Sequence, residues 1–437
     1  MSPTTHTPSS ISRRQLFRLA AAGAAGLAAP SLVSGCGSSN DSSELVLAVT
    51  PDIAKAIEGS IARFNESKAA SLPVRVRAMP ADSSQFLDQM RTQLQAGSAD
   101  IDVFQGDISW AAQFAPNGWL ADLSDRLAPD QRAEHLQAAV DANVVDGKLY
   151  GVPWYWDAGL LYYRKDLLER SGFSAPPATW DELREMALKV VKDSKAANGF
   201  IFQGANYEGG TVNGIEYIRG AGGDILTDGK VTAGSPAAVQ GLSIERGMVT
   251  SGAAPAAVAS YKEDECAGLF LGGNAVFART WVYLYGLLPD KTQSVLDPAR
   301  VGVAELPVAR AGLPAVNVGG GWNCLVNANS RNTEDAWKLV THLTATAQQK
   351  ALATELAYLP TRPALYDDQD ILKAMPVIGL AKQAIQHTTV PPVTAYYSDM
   401  SLAMAKTFNA SLRGAVTPAQ GAEELQSTLE QIVDKAR

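Results

Sequence analysis

Trp154, Tyr155, Trp156 and Asp157 place three large aromatic rings and an acid in four consecutive residues, and Trp281-Val282-Tyr283 and Trp322 follow at the ends of later expected strands. Aromatic faces carry a negative quadrupole that suits the apolar, slightly positive face of a pyranose ring. The hydroxyl edge of such a ring asks for carboxylates, amides and arginine around the rim. Ionised acceptors make those hydrogen bonds shorter and stronger. Peptide and choline sites use the same composition, and a single tryptophan on its own is more often core than contact. In an extended segment Trp154 and Trp156 would point to one side, with Tyr155 and Asp157 on the other.

Catalytic constellations are missing. The chain has no G-x-S-x-G, H-E-x-x-H, C-x-x-C or P-loop pattern. Of four histidines, His6 lies in the leader, and His135, His342 and His387 have no partner nearby in sequence. Nothing marks out a carboxylate pair of the kind glycoside hydrolysis uses. Three cysteines and four histidines argue against a disulfide framework and a zinc site, so no cofactor or metal is expected.

The elements that must hold these residues begin as a doubly wound α/β fold. Residues 44–50 and 74–78 read as strands, 53–66 and 84–95 as helices with apolar stripes, and 101–104 as a third strand. Ligands in such sheets sit beyond the carboxyl ends of the strands. That edge holds Thr50-Pro51-Asp52, Ala78 to Asp82, and Gly106-Asp107. Further on, Thr179 with Glu182 forms a capping box. Residues 316–326 read as a return strand through a glycine triplet, 333–356 as one long amphipathic helix, and the tail from 369 as helical with a break at 390–397. Cys266 and Cys324 are either paired or two separate buried thiols.

Residues 1–36 read as an export address. Ser12-Arg13-Arg14-Gln15-Leu16-Phe17 precedes a weakly apolar Ala/Gly/Leu run, and Val33-Ser34-Gly35-Cys36 closes it. The paired arginines resemble a twin-arginine signal, although Leu16-Phe17 reverses the usual order. The last four residues resemble a lipobox, in which Cys36 would be lipidated and become the new N-terminus. The run is too short for a membrane span. Residues 37–43 are a small, polar tether. Removing residues 1–35 takes away three arginines and no acid, which moves the net charge from −8 to −11. An acidic chain without basic blocks argues against nucleic acid as a partner. At 437 residues, 46% hydrophobic and 19% charged, the rest has the make-up of a two- or three-domain globular protein.

Five segments in order resemble the family 1 extracellular solute-binding proteins of ABC importers, and within them the trehalose/maltose-binding lipoproteins. They are residues 101–110 running on to Gly118-Trp119-Leu120-Ala121-Asp122-Leu123, then residues 146–153 with 160–168, Thr179-Trp180-Asp181-Glu182-Leu183, Gly319-Gly320-Gly321-Trp322, and Leu359-Pro360-Thr361-Arg362. The resemblance implies a two-lobed periplasmic-binding-protein-like α/β fold of maltose-binding type, closing by hinge bending around a sugar. Lobe one would take residues 44–156 and 318–352, and lobe two 157–317 and 353–437. The ligand residues it implies, with those read from composition, are Asp52, Asp107, Trp154, Trp156, Asp157, Glu208, Trp281, Tyr283, Gly320, Gly321, Trp322, Arg362 and Tyr396. The expected partners are a small-molecule sugar, membrane permease subunits and, through Cys36, the outer face of the cell membrane; the expected state is a monomer. Trehalose-binding relatives carry an arginine just before the late proline. Here the stretch is Thr388-Thr389-Val390-Pro391-Pro392-Val393, without one. Two other readings stand beside this one: a glycan-acting enzyme with a similar cleft, and the same fold binding a polyamine or a glycerol-phosphate-type solute.

Overall fold

The computed structural model describes residues 43–436 apart from Lys195. The expected export segment with Cys36, and the tether up to residue 42, lie outside the described residues. Among the described residues no helix is long and apolar enough to cross a membrane.

The N-terminal reading is close to what forms: β1 (Leu45–Val49), α1 (Pro51–Ala56), α2 (Glu58–Ser67), β2 (Val74–Ala78), α3 (Ser83–Gln95), β3 (Val103–Asp107) and α4 (Trp110–Phe114). β1 pairs in parallel with both β2 and β3. The stripe Ile53, Ile57, Ile61 and Phe64 packs on the sheet face that carries Leu45, Leu47 and Val49. Phe86, Met90 and Leu94 of α3 pack on the opposite face, with Val46 and Ala48. The expected helix over 53–66 divides at Ile57, whose ψ of 1° leaves helical geometry.

The long β4 (Gly151–Arg164) crosses the molecule. α5 (Trp180–Asp193), β5 (Asn198–Ile201), α6 (Glu208–Gly220), α7 (Pro236–Thr250), α8 (Glu263–Leu271), β6 (Ala275–Trp281), β7 (Val301–Ala304) and β8 (Asn317–Val326) follow. α9 (Thr333–Leu343), α10 (Thr346–Leu356), β9 (Leu359–Pro360), α11 (Gln369–Ala374), α12 (Val377–Gln386), β10 (Thr388–Thr389), α13 (Tyr397–Leu412) and α14 (Pro418–Ala436) complete the chain. The ten-stranded sheet has the order β2-β1-β3-β8-β4-β6-β5, with β7 and β9 also on β4 and β10 on β8. Residues 151–158 of β4 pair with β8, and 159–163 pair with β6. Two sheet halves therefore share one strand, and each half is covered by helices on its own cores.

The expected long helix 333–356 is two helices. Ala345 is extended (ψ 151°), and the Thr344 hydroxyl bonds back to Val340 O (2.9 Å). The freed carbonyl of Thr344 is taken by Gln349 Nε2 and Arg362 Nε, each at 3.3 Å. The capping box at Thr179 and Glu182 forms as expected. Cys266 and Cys324 are free thiols in different cores.

Candidate functional site

A cavity of about 220 Å³ lies between α3 and α13. Ser84, Leu87, Asp88 and Arg91 form the α3 wall, and Ser398, Ser401, Leu402 and Ala405 the α13 wall. The spacings of three and four set each group on one face of its helix. Asp107, Ser109, Trp110 and Gln113 approach from the end of β3, and Tyr207 and Glu208 from the start of α6. Four helices thus begin at the cavity. Three of them, α4, α6 and α13, have no side-chain cap. Their free N–H groups bring a partial positive potential.

That potential falls on two acids. Ser109 donates its backbone N–H (2.9 Å) and hydroxyl (2.7 Å) to Asp107 Oδ1. Tyr397 donates its hydroxyl to Glu208 Oε1 (2.5 Å), and Ser401 donates to Glu208 Oε2. Burial raises the Asp107 carboxyl against the pull of the Ser109 donors. Burial, with the neighbouring charge of Asp107, pushes Glu208 up to about 7. Neither acid has a cation among the causes of its shift. The site is therefore rich in acceptors, held in place by donors on the protein side.

An aromatic bank adjoins it. Trp322 pairs with Asp107 across β3 and β8, lies edge-on to Trp110 (centroids 6.2 Å), and stacks on Tyr155 (6.4 Å, 28°). Tyr155 receives a hydrogen bond from Gln105 Nε2 (2.8 Å) and stands 4.6 Å from Tyr358, which donates to Asp52 Oδ2 (2.5 Å). From the other sheet half, Trp281 is half-buried, with the Arg279 guanidinium 4.1 Å over its ring. Glu263 sits beside Tyr207 and Trp281, and burial raises its carboxyl.

The structure sorts the expected residues. Asp107 and Glu208 line the cavity, with Trp322 next to it; Asp52 and Tyr283 belong to the surrounding polar and aromatic shell. Trp154 and Trp156 are 1% and 2% exposed and belong to two different cores, so neither is a contact surface. The expected alternation fails because the register shifts opposite Trp322/Asn323: Tyr155 pairs with Trp322 and Pro153 with Asn323, which leaves Trp154 as an extra residue. Trp154 and Tyr155 then share one core. Asp157 is buried, and its Oδ1 accepts the N–H groups of Ala158 (2.9 Å) and Val282 (3.0 Å). It fastens the crossing strand to the chain after β6, and burial pushes it up to about 7.

A Cβ on Gly321 would come within 2.7 Å of the Trp156 ring, and one on Gly319 within 2.2 Å of Thr388 Cγ2, while Gly320 faces open space. Gly321 therefore makes room for a core tryptophan, and of Gly320 and Gly321 only Gly320 is left open. Arg362 pairs with Glu134 and caps the Thr344 carbonyl, away from the cavity. Tyr396 packs at the edge of a core, and its neighbour Tyr397 holds Glu208. The stretch without the late arginine is tied by Arg219 Nη1 to Thr389 Oγ1 (2.6 Å) and Val390 O (2.9 Å). Sequence reading missed Ser84, Arg91, Gln113, Tyr207, Tyr397 and Ser401 as wall residues. The legible trace was the helical spacing of Ser84 and Arg91 along α3 and of Ser398 and Ser401 along α13; Gln113 and Tyr207 left none.

A family model described as bacterial extracellular solute-binding protein matches residues 49–350. A probable ABC transporter-binding protein of Deinococcus radiodurans is 36% identical over 375 residues, 84% of this chain and 88% of its own length. Maltose-bound MalE3 of T. maritima superposes with a TM-score of 0.84 at 31% identity, covering 89% of this chain and 99% of that one. A Thermotoga lettingae solute-binding protein bound with α-D-tagatose follows the same fold, with a TM-score of 0.77 at 24% identity and coverage of 89% and 99%. The fold is that of the maltose-binding proteins, and the chain belongs to the family of bacterial extracellular solute-binding proteins.

Proposed function

We propose that this protein is the extracytoplasmic substrate-binding component of an ABC importer. In this reading it takes up a sugar of one or two rings in the cavity between α3 and α13 and presents it to a membrane permease. The carrying observation is the pair Asp107 and Glu208: two acceptors, oriented by Ser109, Tyr397 and Ser401, face one cavity beside the Trp110–Trp322–Tyr155 bank. Sugar hydroxyls donate to such acceptors, and a ring face lies on such aromatics. The similarity to an ABC transporter-binding protein and to a maltose-bound protein supports the transport role. Binding with release needs no catalytic group, so the reading is of a non-enzyme.

The two lobes move about β4 and β8, and the boundary falls near Asp157–Gly159, where β4 changes partner. A second crossing lies near Leu359, since Tyr358 joins one core and Leu359 another. Residues 1–36 direct export, and Cys36 carries the lipid that tethers a monomer to the outer face of the membrane. A second reading, a cationic solute such as a polyamine, draws on the same two acids having no cationic partner.

Residues 37–437 titrated with glucose, mannitol, maltose, trehalose, spermidine and glycerol-3-phosphate should show a melting-temperature rise with a sugar, because a ligand specific to the folded state stabilises it. A rise with spermidine alone would transfer the site to the second reading; no rise with any compound would remove both.

A further inference from the structure

The α3 wall is pinned to neighbouring elements at two places. At one, Arg91 Nη2 on α3 donates to Ser398 Oγ on α13 (2.9 Å), and Ser398 donates to Gln113 Oε1. Gln113 is itself buried and fixed, with Nε2 bonded to Ser109 O (3.1 Å) and Ser109 Oγ (3.2 Å). At the other, Lys262, before α8, pairs with Asp82, the N-cap of α3, and stands 4.8 Å from the Tyr207 ring centroid. The cavity itself, about 220 Å³, is below the roughly 300–1,000 Å³ of pockets that enclose drug-sized ligands.

Of the two pins, only the Arg91–Ser398 contact is made by residues that line the cavity, so Arg91 is the one placed to stop it. Its side chain is 39% exposed, with Asp88 3.9 Å away on the solvent side, so it stands between the cavity and water. The Ser398 hydroxyl that accepts from it would, without it, be free to serve a hydroxyl of a second ring. We propose that Arg91 selects ligand length, and that the cavity takes one sugar ring or an open-chain polyol of similar size rather than a disaccharide. This rests on the cavity being a sugar site.

The test is calorimetry with glucose, galactose, mannitol, maltose and trehalose on the wild-type protein and on Arg91→Ala. The expected wild-type result is one hexose or hexitol binding at least tenfold tighter than either disaccharide. In Arg91→Ala that ratio should fall tenfold or more, and Arg91→Lys, which keeps charge and reach, should restore much of it. A ratio between ligands does not move when a substitution only weakens the fold. Maltose or trehalose binding the wild type as tightly as every smaller sugar would overturn the proposal and leave the sugar reading intact. An unchanged ratio in Arg91→Ala would do the same to the role of Arg91. Binding of spermidine or glycerol-3-phosphate with no sugar binding would overturn the sugar reading and this proposal together. If Arg91→Ala does not fold, the wild-type ratio and Arg91→Lys still decide the size limit.

Discussion

Glu208 and Glu216 stand on one helix, α6, about 12 Å apart along its axis at 1.5 Å per residue, and the protein treats them in opposite ways. Glu216 is 3% exposed and forked onto Arg279, with bonds of 2.7 and 2.6 Å. Gly159 lies against the pair so closely that a Cβ there would sit 2.2 Å from Glu216 Oε1. The charge is cancelled inside the protein, and the pair also receives the Val318 N–H (3.1 Å) and supports Trp281 from behind. Glu208 has only hydroxyl donors, a nearby acid and an open cavity. A buried charge without a partner is costly, so its retention beside a cavity marks a group whose last partner comes from outside. The paired end of the helix is scaffold and the unpaired end is site.

The largest expected effect comes from breaking the scaffold end. Arg279→Met should lower unfolding stability by about 3–5 kcal/mol in a urea titration, because it strands the Glu216 charge. A loss below about 1 kcal/mol would erase the contrast between the two ends. At the site end, Glu208→Gln should weaken sugar binding by roughly 10- to 100-fold, the range of about 1.5–3 kcal/mol for hydrogen bonds to a charged group, while leaving the melting temperature unchanged or raised. Equal affinity in calorimetry would remove Glu208 from the binding surface.

The third expectation concerns pH. The folded Glu208 carboxyl is raised to about 7 from 4.5, chiefly by burial. Between these values the native state holds more protons than the unfolded chain. Stability therefore falls as pH rises through this window. Relative to Glu208→Gln, the wild type should lose about 2 kcal/mol between pH 5 and 7. Subtraction is needed because burial also raises Asp157 to about 7 and Glu245 to about 8. A difference that stays flat with pH would mean that Glu208 titrates as an ordinary acid. Binding through the ionised form should in turn weaken as pH falls through 7. The smallest effect belongs to the Asp82–Lys262 pair at the cavity's end, where Lys262 is 44% exposed. Lys262→Ala should change stability by less than about 1 kcal/mol, and a larger loss in chemical denaturation would move that pair from the rim to the scaffold.

Local pattern was enough for much of the scaffold. The continuous apolar run of Leu45 to Val49, the stripe from Ile53 to Phe64 and the Thr179–Glu182 box involve residues a few positions apart; the strand and the box formed where expected, and the stripe packs as expected although its helix divides at Ile57. Asp107 was legible from its place at the end of β3, and Glu208 came from resemblance. The aromatic cluster misled because Trp154 is the extra residue of a bulge, and a bulge shows only once two strands are paired. Arg362 and the break at Thr344 misled for a related reason: helix periodicity runs through 333–356 unbroken, and only Gln349 and Arg362 can meet the carbonyl that the break exposes.

By itself the sequence determined the first strands and the apolar faces of the helices, the absence of catalytic motifs, and the family, because these rest on residue order and short-range periodicity. Only the tertiary structure decided which acids meet and which cations they find. Asp107, Glu208 and Tyr397 come from three distant segments, and Arg91 reaches Ser398 across 307 residues of chain. Whether a buried carboxylate is cancelled or left facing a cavity depends on the dielectric surroundings and the partners that packing supplies, and neither is written in any local stretch of the chain.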